Sequence, residues 1–106
     1  MTNSELKTIL ETVPGIPFAY SHFKKGNEPP KPYGVWYEDG DNSIKADGKT
    51  AFVIPNFIIE LYTTIKSPET VNKVLTVLSN NDIAYDIVGQ QFLDDENMYM
   101  TIIELD

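Results

Sequence analysis

Hydrophobic positions recur along the chain with two different periods, and the changes from one to the other mark out its elements. Leu6, Ile9, Leu10 and Val13 fall at i, i+3, i+4 and i+7, the spacing that places apolar side chains on one face of a helix. Ahead of them Thr2 and Glu5 form a capping-box pair, in which the hydroxyl accepts from the third helical amide and the glutamate reaches back. A short amphipathic helix is therefore predicted from about Ser4 to Val13, stopped by Pro14-Gly15. The second helical run is Val71, Val74, Leu75 and Leu78. Ser67 stands before it as N-cap, Pro68 takes the first helical position, and Glu69 lies in the first turn where the helix dipole favours a negative charge. The prediction is a helix from Pro68 to Asn80 with Leu75 in the middle of its apolar face.

Elsewhere the period is two. Ile16 to Phe23 reads as a first strand, with Phe18, Tyr20 and His22 on one face, Ala19, Ser21 and Phe23 on the other, and Pro17 setting its start at an edge or bend. Lys24 to Pro32 holds Gly26, Asn27 and three prolines, which fits an exposed connection of polyproline character. Tyr33 to Glu38 is the second strand, with Tyr33, Val35 and Tyr37 alternating against Gly34, Trp36 and Glu38. A polar loop from Asp39 to Thr50 leads to a third strand over about Phe52 to Ile65, in which Pro55 marks a bulge or a late start. Ile83 to Val88 and Met98 to Leu105 supply two more, separated by Gly89-Gln90 and the acidic turn Asp94-Asp95-Glu96-Asn97. The order α-β-β-β-α-β-β predicts a single α+β domain over residues 1–106. Its mostly antiparallel or mixed sheet of about five strands carries two helices packed on one face.

Charge narrows the range of partners. Sixteen acidic residues against eight basic ones give a formal net charge of -8, and phosphate contacts depend on lysine and arginine displacing counterions. Lys24-Lys25 with Lys31 nearby is too small a basic group to support direct nucleic-acid recognition. Cysteine is absent, which removes disulfides, thiolate nucleophiles and cysteine-type zinc sites together. No apolar run reaches the roughly 18 residues of a membrane span, and Met1 to Glu5 lacks a basic, then apolar, leader pattern. A soluble, intracellular protein with no membrane partner is expected.

Candidate chemistry is sparse. Asp39 to Thr50 places oxygen-bearing side chains at positions 1, 3, 5 and 9 of a twelve-residue calcium loop. Ile44 stands where the sharp turn needs glycine, however, and Thr50 where a bidentate glutamate is needed, so calcium binding is not expected. His22 is the single histidine, and no G-x-S-x-G element accompanies it. The carboxylates cluster in turns rather than in pairs suited to acid–base work, and no phosphate-binding glycine loop is present. No catalytic residue, metal ligand or cofactor follows from the residues, and an enzyme is not expected.

The large rings are more suggestive. Tyr20, Phe23, Tyr33, Trp36, Tyr37, Tyr62, Phe92 and Tyr99 are more aromatic surface than one face of a small sheet hides easily. Tyr33, Trp36, Tyr37 and Tyr62 are accordingly the predicted subunit or partner interface. The alternative is a helical layer that covers most of them, with tyrosine hydroxyls reaching water at the rim.

Pro32-Tyr33-Gly34-Val35-Trp36-Tyr37-Glu38, Ala46-Asp47, Ile59-Glu60-Leu61-Tyr62-Thr63 and Pro68-Glu69 together resemble the pattern of a small phage and prophage tail-completion group, which is similar to the tail terminator proteins. The resemblance implies a non-enzymatic virion component without cofactors, related to subunits that form a ring, commonly of six, closing the tail tube at the end facing the head. It implies as partners other copies of the chain, the tail tube and the head–tail connector, and as location the host cytoplasm during assembly and then the virion tail. In such a ring the acidic residues Asp39, Asp41, Asp47, Asp94, Asp95 and Glu96 would face a lumen or a partner and repel passing DNA. The competing expectation from charge is a small acidic inhibitor or DNA mimic that occupies a basic partner.

Overall fold

A computed structural model describes residues 1–39, 43–46, 49–53 and 56–105, with 43–46 and 49–53 described by their backbone pairing alone. Helix α1 spans Asn3–Leu10 and begins with the capping box foreseen from sequence. The Glu5 amide donates to Thr2 Oγ1 at 3.1 Å and the Thr2 amide to Glu5 Oε1 at 3.3 Å. The regular helix stops at Leu10, short of the predicted Val13, yet Val13 still turns inward and is buried. Helix α2 spans Pro68–Asn80, with Ser67 Oγ accepting from the Thr70 amide and the Asn81 side chain donating to the Val77 carbonyl at 2.8 Å.

Seven strands accompany these helices among the described residues: β1 Phe18–Tyr20, β2 Tyr33–Glu38, β3 Ser43–Ala46, β4 Lys49–Val53, β5 Phe57–Thr63, β6 Tyr85–Leu93 and β7 Met98–Leu105. Five of them form one mixed sheet in the order β1-β2-β5-β7-β6. β1 runs parallel to β2, and every other neighbour is antiparallel. The fold is α+β, and around the main sheet the order is the predicted α-β-β-β-α-β-β. The addition is β3–β4, a separate two-stranded hairpin within the stretch expected to be a loop and the start of the third strand.

Alternation along the strands assigns the two faces. Trp36 pairs with Ile59 and Ile59 with Ile103. These three join Phe57, Leu61 and Leu105 in a core closed by Leu6 and Leu10 of α1 and Val71, Val74 and Leu78 of α2. Each fully buried leucine or isoleucine contributes about 1.5–3 kcal/mol. Leu75, predicted at the centre of the α2 face, is only partly buried at its margin. A side chain at i+4 from Val71 and i+1 from Val74 lies toward one flank of the apolar stripe, and here that flank faces β6.

Three further boundaries differ from expectation for local reasons. β1 is three residues long because Ser21 adopts φ 68°, a left-handed conformation. The turn it makes lets the His22 amide donate to the Tyr20 carbonyl at 2.7 Å. The strand expected over Phe52 to Ile65 is divided between β4 and β5. β6 runs on through Gly89-Gln90, where a break was predicted, because the irregularity there is a register shift between Ile87 and Gly89 rather than a turn.

Candidate functional site

The predicted interface residues separate onto the two faces of the sheet. Trp36 points under α1, is 3% exposed, and donates its indole N–H to Asn3 Oδ1 at 2.5 Å, so it belongs to the core and presents no contact surface. Tyr33, Tyr37 and Tyr62 lie on the opposite face, Tyr33 buried and the other two partly so. β2 and β5 bring them together there: Tyr33 lies opposite Tyr62, and Val35 opposite Glu60. Tyr37 donates to Glu60 Oε2 at 2.6 Å and Tyr62 to Glu60 Oε1 at 2.5 Å. Burial, followed by the bond to the Glu60 carboxylate, raises both hydroxyls well above the ordinary tyrosine value. At neutral pH they are locked as donors, and Glu60 is their acceptor. The arrangement fixes the side chains and offers neither a nucleophile nor a free base.

The connection from Ser21 onward crosses this face. Phe23 packs edge-on to Tyr33 with centroids 5.4 Å apart, and Tyr33 leans on Tyr62 at 5.3 Å. An open hollow of about 330 Å³ lies beside the crossing, lined among others by His22, Glu28, Tyr33, Glu60 and Tyr62. His22 is exposed, and among the described residues its ring makes one polar contact, Nδ1 to Ser21 Oγ at 3.1 Å. No catalytic arrangement is built around it among those residues.

Among the described acidic residues of the predicted set, Asp39 lies at one end of the sheet and Asp94, Asp95 and Glu96 at the other. Asp39 follows the Glu38 end of β2, where its amide donates to the Asn56 carbonyl at 2.6 Å. Asp94, Asp95 and Glu96 occupy the exposed β6–β7 turn, beyond the Phe92–Tyr99 pair at the other end of the strands. Asp41 and Asp47 lie outside the described residues, as does part of the candidate calcium loop.

A surface that sequence reasoning missed lies along β6. This strand is the outermost on its side of the sheet and nine residues long, and it leaves Ile87, Val88 and Phe92 exposed at 45%, 54% and 48%. Natural edge strands are commonly shortened or carry lysine or proline, which discourage pairing; β6 has neither residue. The opposite edge is blunted. β1 has three residues, starts just after Pro17, and has its last carbonyl engaged by His22. Beside β6, the partly buried Leu75 joins Val71, Pro68 and Ile87 in an apolar groove of about 150 Å³, with Lys66 and Gln90 also lining it. The signal was in the sequence: Tyr85 to Leu93 continues as a strand through Gly89 if one residue is allowed to bulge.

No protein-family model and no curated protein matches the chain.

Proposed function

We propose that the protein is a non-enzymatic structural subunit of a phage or prophage tail, acting in tail completion or termination through association with copies of itself and with neighbouring tail proteins. The observation that carries this reading is the bare nine-residue β6 edge with its exposed apolar side chains, a surface suited to assembly. It stands together with the aromatic strands that resemble the tail-completion group. A head-to-tail contact between such subunits closes into a ring when the rotation permits, and six copies at the head-proximal end of the tail tube is the arrangement the resemblance implies. Tyr37, Glu60 and Tyr62, tied to one another, hold the crossing face rigid rather than perform chemistry.

The test is deletion from a parent phage. Heads filled with DNA beside tails of abnormal length, or tails that do not join, are the expected result; normal virions would overturn the reading. The DNA-mimic alternative is separated by reversing Asp39, Asp41 and Asp47 to lysine. A ring subunit should still assemble after that change, whereas a mimic should lose its basic partner.

A further inference from the structure

We propose that the outer edge of β6 is a docking site for one extended segment of a partner protein, added as a sixth strand and carrying alternating apolar and basic residues. The inference rests on the structural-subunit reading for its biological setting and narrows the β6 surface of that reading to one kind of occupant. β6 is a nine-residue edge strand whose inward backbone groups pair with β7 and whose outward ones have no neighbouring strand among the described residues, and strand addition satisfies such groups through main-chain hydrogen bonds while side-chain pockets set specificity.

The two faces beside that edge ask for different side chains. On the helix-covered face an added strand would lie next to Ile87, Gln90 and Phe92 and over the groove formed with Val71 and Leu75, so its residues there are apolar. On the other face Asp86 lies at the edge, directly across from Glu104 on β7. Two carboxylates opposite one another in a ladder repel, and among the described residues the sole ion pair is Lys7 with Glu11, on α1 and the residue that follows it. A lysine or arginine on the incoming strand would sit beside Asp86 and relieve that repulsion. The approaches to the strand carry the same sign, with exposed Asp82 before it and exposed Asp94, Asp95 and Glu96 after it. Lys66 at the groove is the one basic side chain lining it. An acidic segment is thereby discouraged and a basic one drawn in.

The probe is a blocked synthetic peptide of about eight residues, a common strand length, alternating valine and lysine, with an alternating valine–glutamate peptide as comparison. Amide exchange by NMR on the intact chain should show the valine–lysine peptide protecting backbone amides between Tyr85 and Leu93, with affinity falling as salt rises. The glutamate peptide should bind at least about tenfold more weakly, and Asp86→Asn, checked by thermal melting to be folded, should weaken the lysine peptide several-fold. Absence of protection at β6, equal affinity for the two peptides, or no effect of Asp86→Asn in a folded variant would overturn the proposal. So would protection of β6 that grows with protein concentration in the absence of peptide, because the edge would then belong to a second copy. A phage deletion with normal virions alongside selective peptide binding would reject the tail role and leave the docking site standing.

Discussion

Glu60 accepts two tyrosine hydroxyls at once, so its removal orphans both donors on a partly covered face. Glu60→Ala should lower unfolding free energy by about 1.5–3 kcal/mol, read from denaturant midpoints, and Glu60→Gln should cost less because it retains an acceptor. The same cluster sets an alkaline limit. Tyr37 and Tyr62 have their folded pKa values raised from 10.0. Below that value both the folded and unfolded chains keep these protons, and stability is unaffected by them; above it the unfolded chain ionises first, and stability falls as pH rises. Unfolding followed from pH 9 upward should show that decline, and the double variant Tyr37→Phe, Tyr62→Phe should decline less steeply. Gly34 presents a steric constraint instead. A Cβ there would lie 2.4 Å from Cε1 of Phe18 and 3.2 Å from the Glu60 carbonyl, so Gly34→Ala should force the Phe18 ring aside and destabilise by about 1–3 kcal/mol.

At the scale of elements, α2 tests how its two flanks differ. Leu78 is fully buried, whereas Leu75 lines the groove toward β6. Leu78→Ala should cost about 2–5 kcal/mol, and Leu75→Ala about 1 kcal/mol because part of that side chain is already wet. Equal midpoints for the two variants would show that the groove is closed in solution. α2 was legible from sequence to its last residue because local chemistry ends it on both sides: a hydroxyl cap and proline at the start, Asn81 at the finish. β2 and β7 were equally legible, and both fall on their predicted bounds. β1 was not, because a left-handed serine carries no mark in a run that alternates as a strand should. Nor was its parallel pairing, since the direction of a neighbour is set by the path of the connection and not by either strand's pattern. β6 was shortened in prediction because glycine in a strand reads alike as a break or a bulge. Of the predicted interface, Tyr33 and Tyr37 share a face as their spacing requires and the β2–β5 register adds Tyr62 to it, but period alone did not say which face the helices cover, and Trp36 went under them.

For the whole molecule, a net charge of -8 over 106 residues opposes compaction through self-repulsion. Among the described residues, side-chain charge neutralisation is limited to one exposed pair. Thermal midpoints should therefore rise between low and roughly 0.15 M salt, where screening shortens to about 8 Å; a midpoint that falls would mean that attractive pairs dominate. The sheet order has its own effect on the time course of folding. β7 comes after every other described strand in the chain, yet it sits inside the sheet, bonded to β5 on one side and β6 on the other. Its pairing with β5 joins residues such as Ile59 and Ile103 that are far apart in sequence, a non-local closure that is slow to form. On the ribosome, a nascent chain that has emerged only as far as Asn97 would have β6 without any partner strand and the β5 edge open. The protease-resistant core should then appear late and in a single step, once Met98–Leu105 clears the exit tunnel and slots between the two halves.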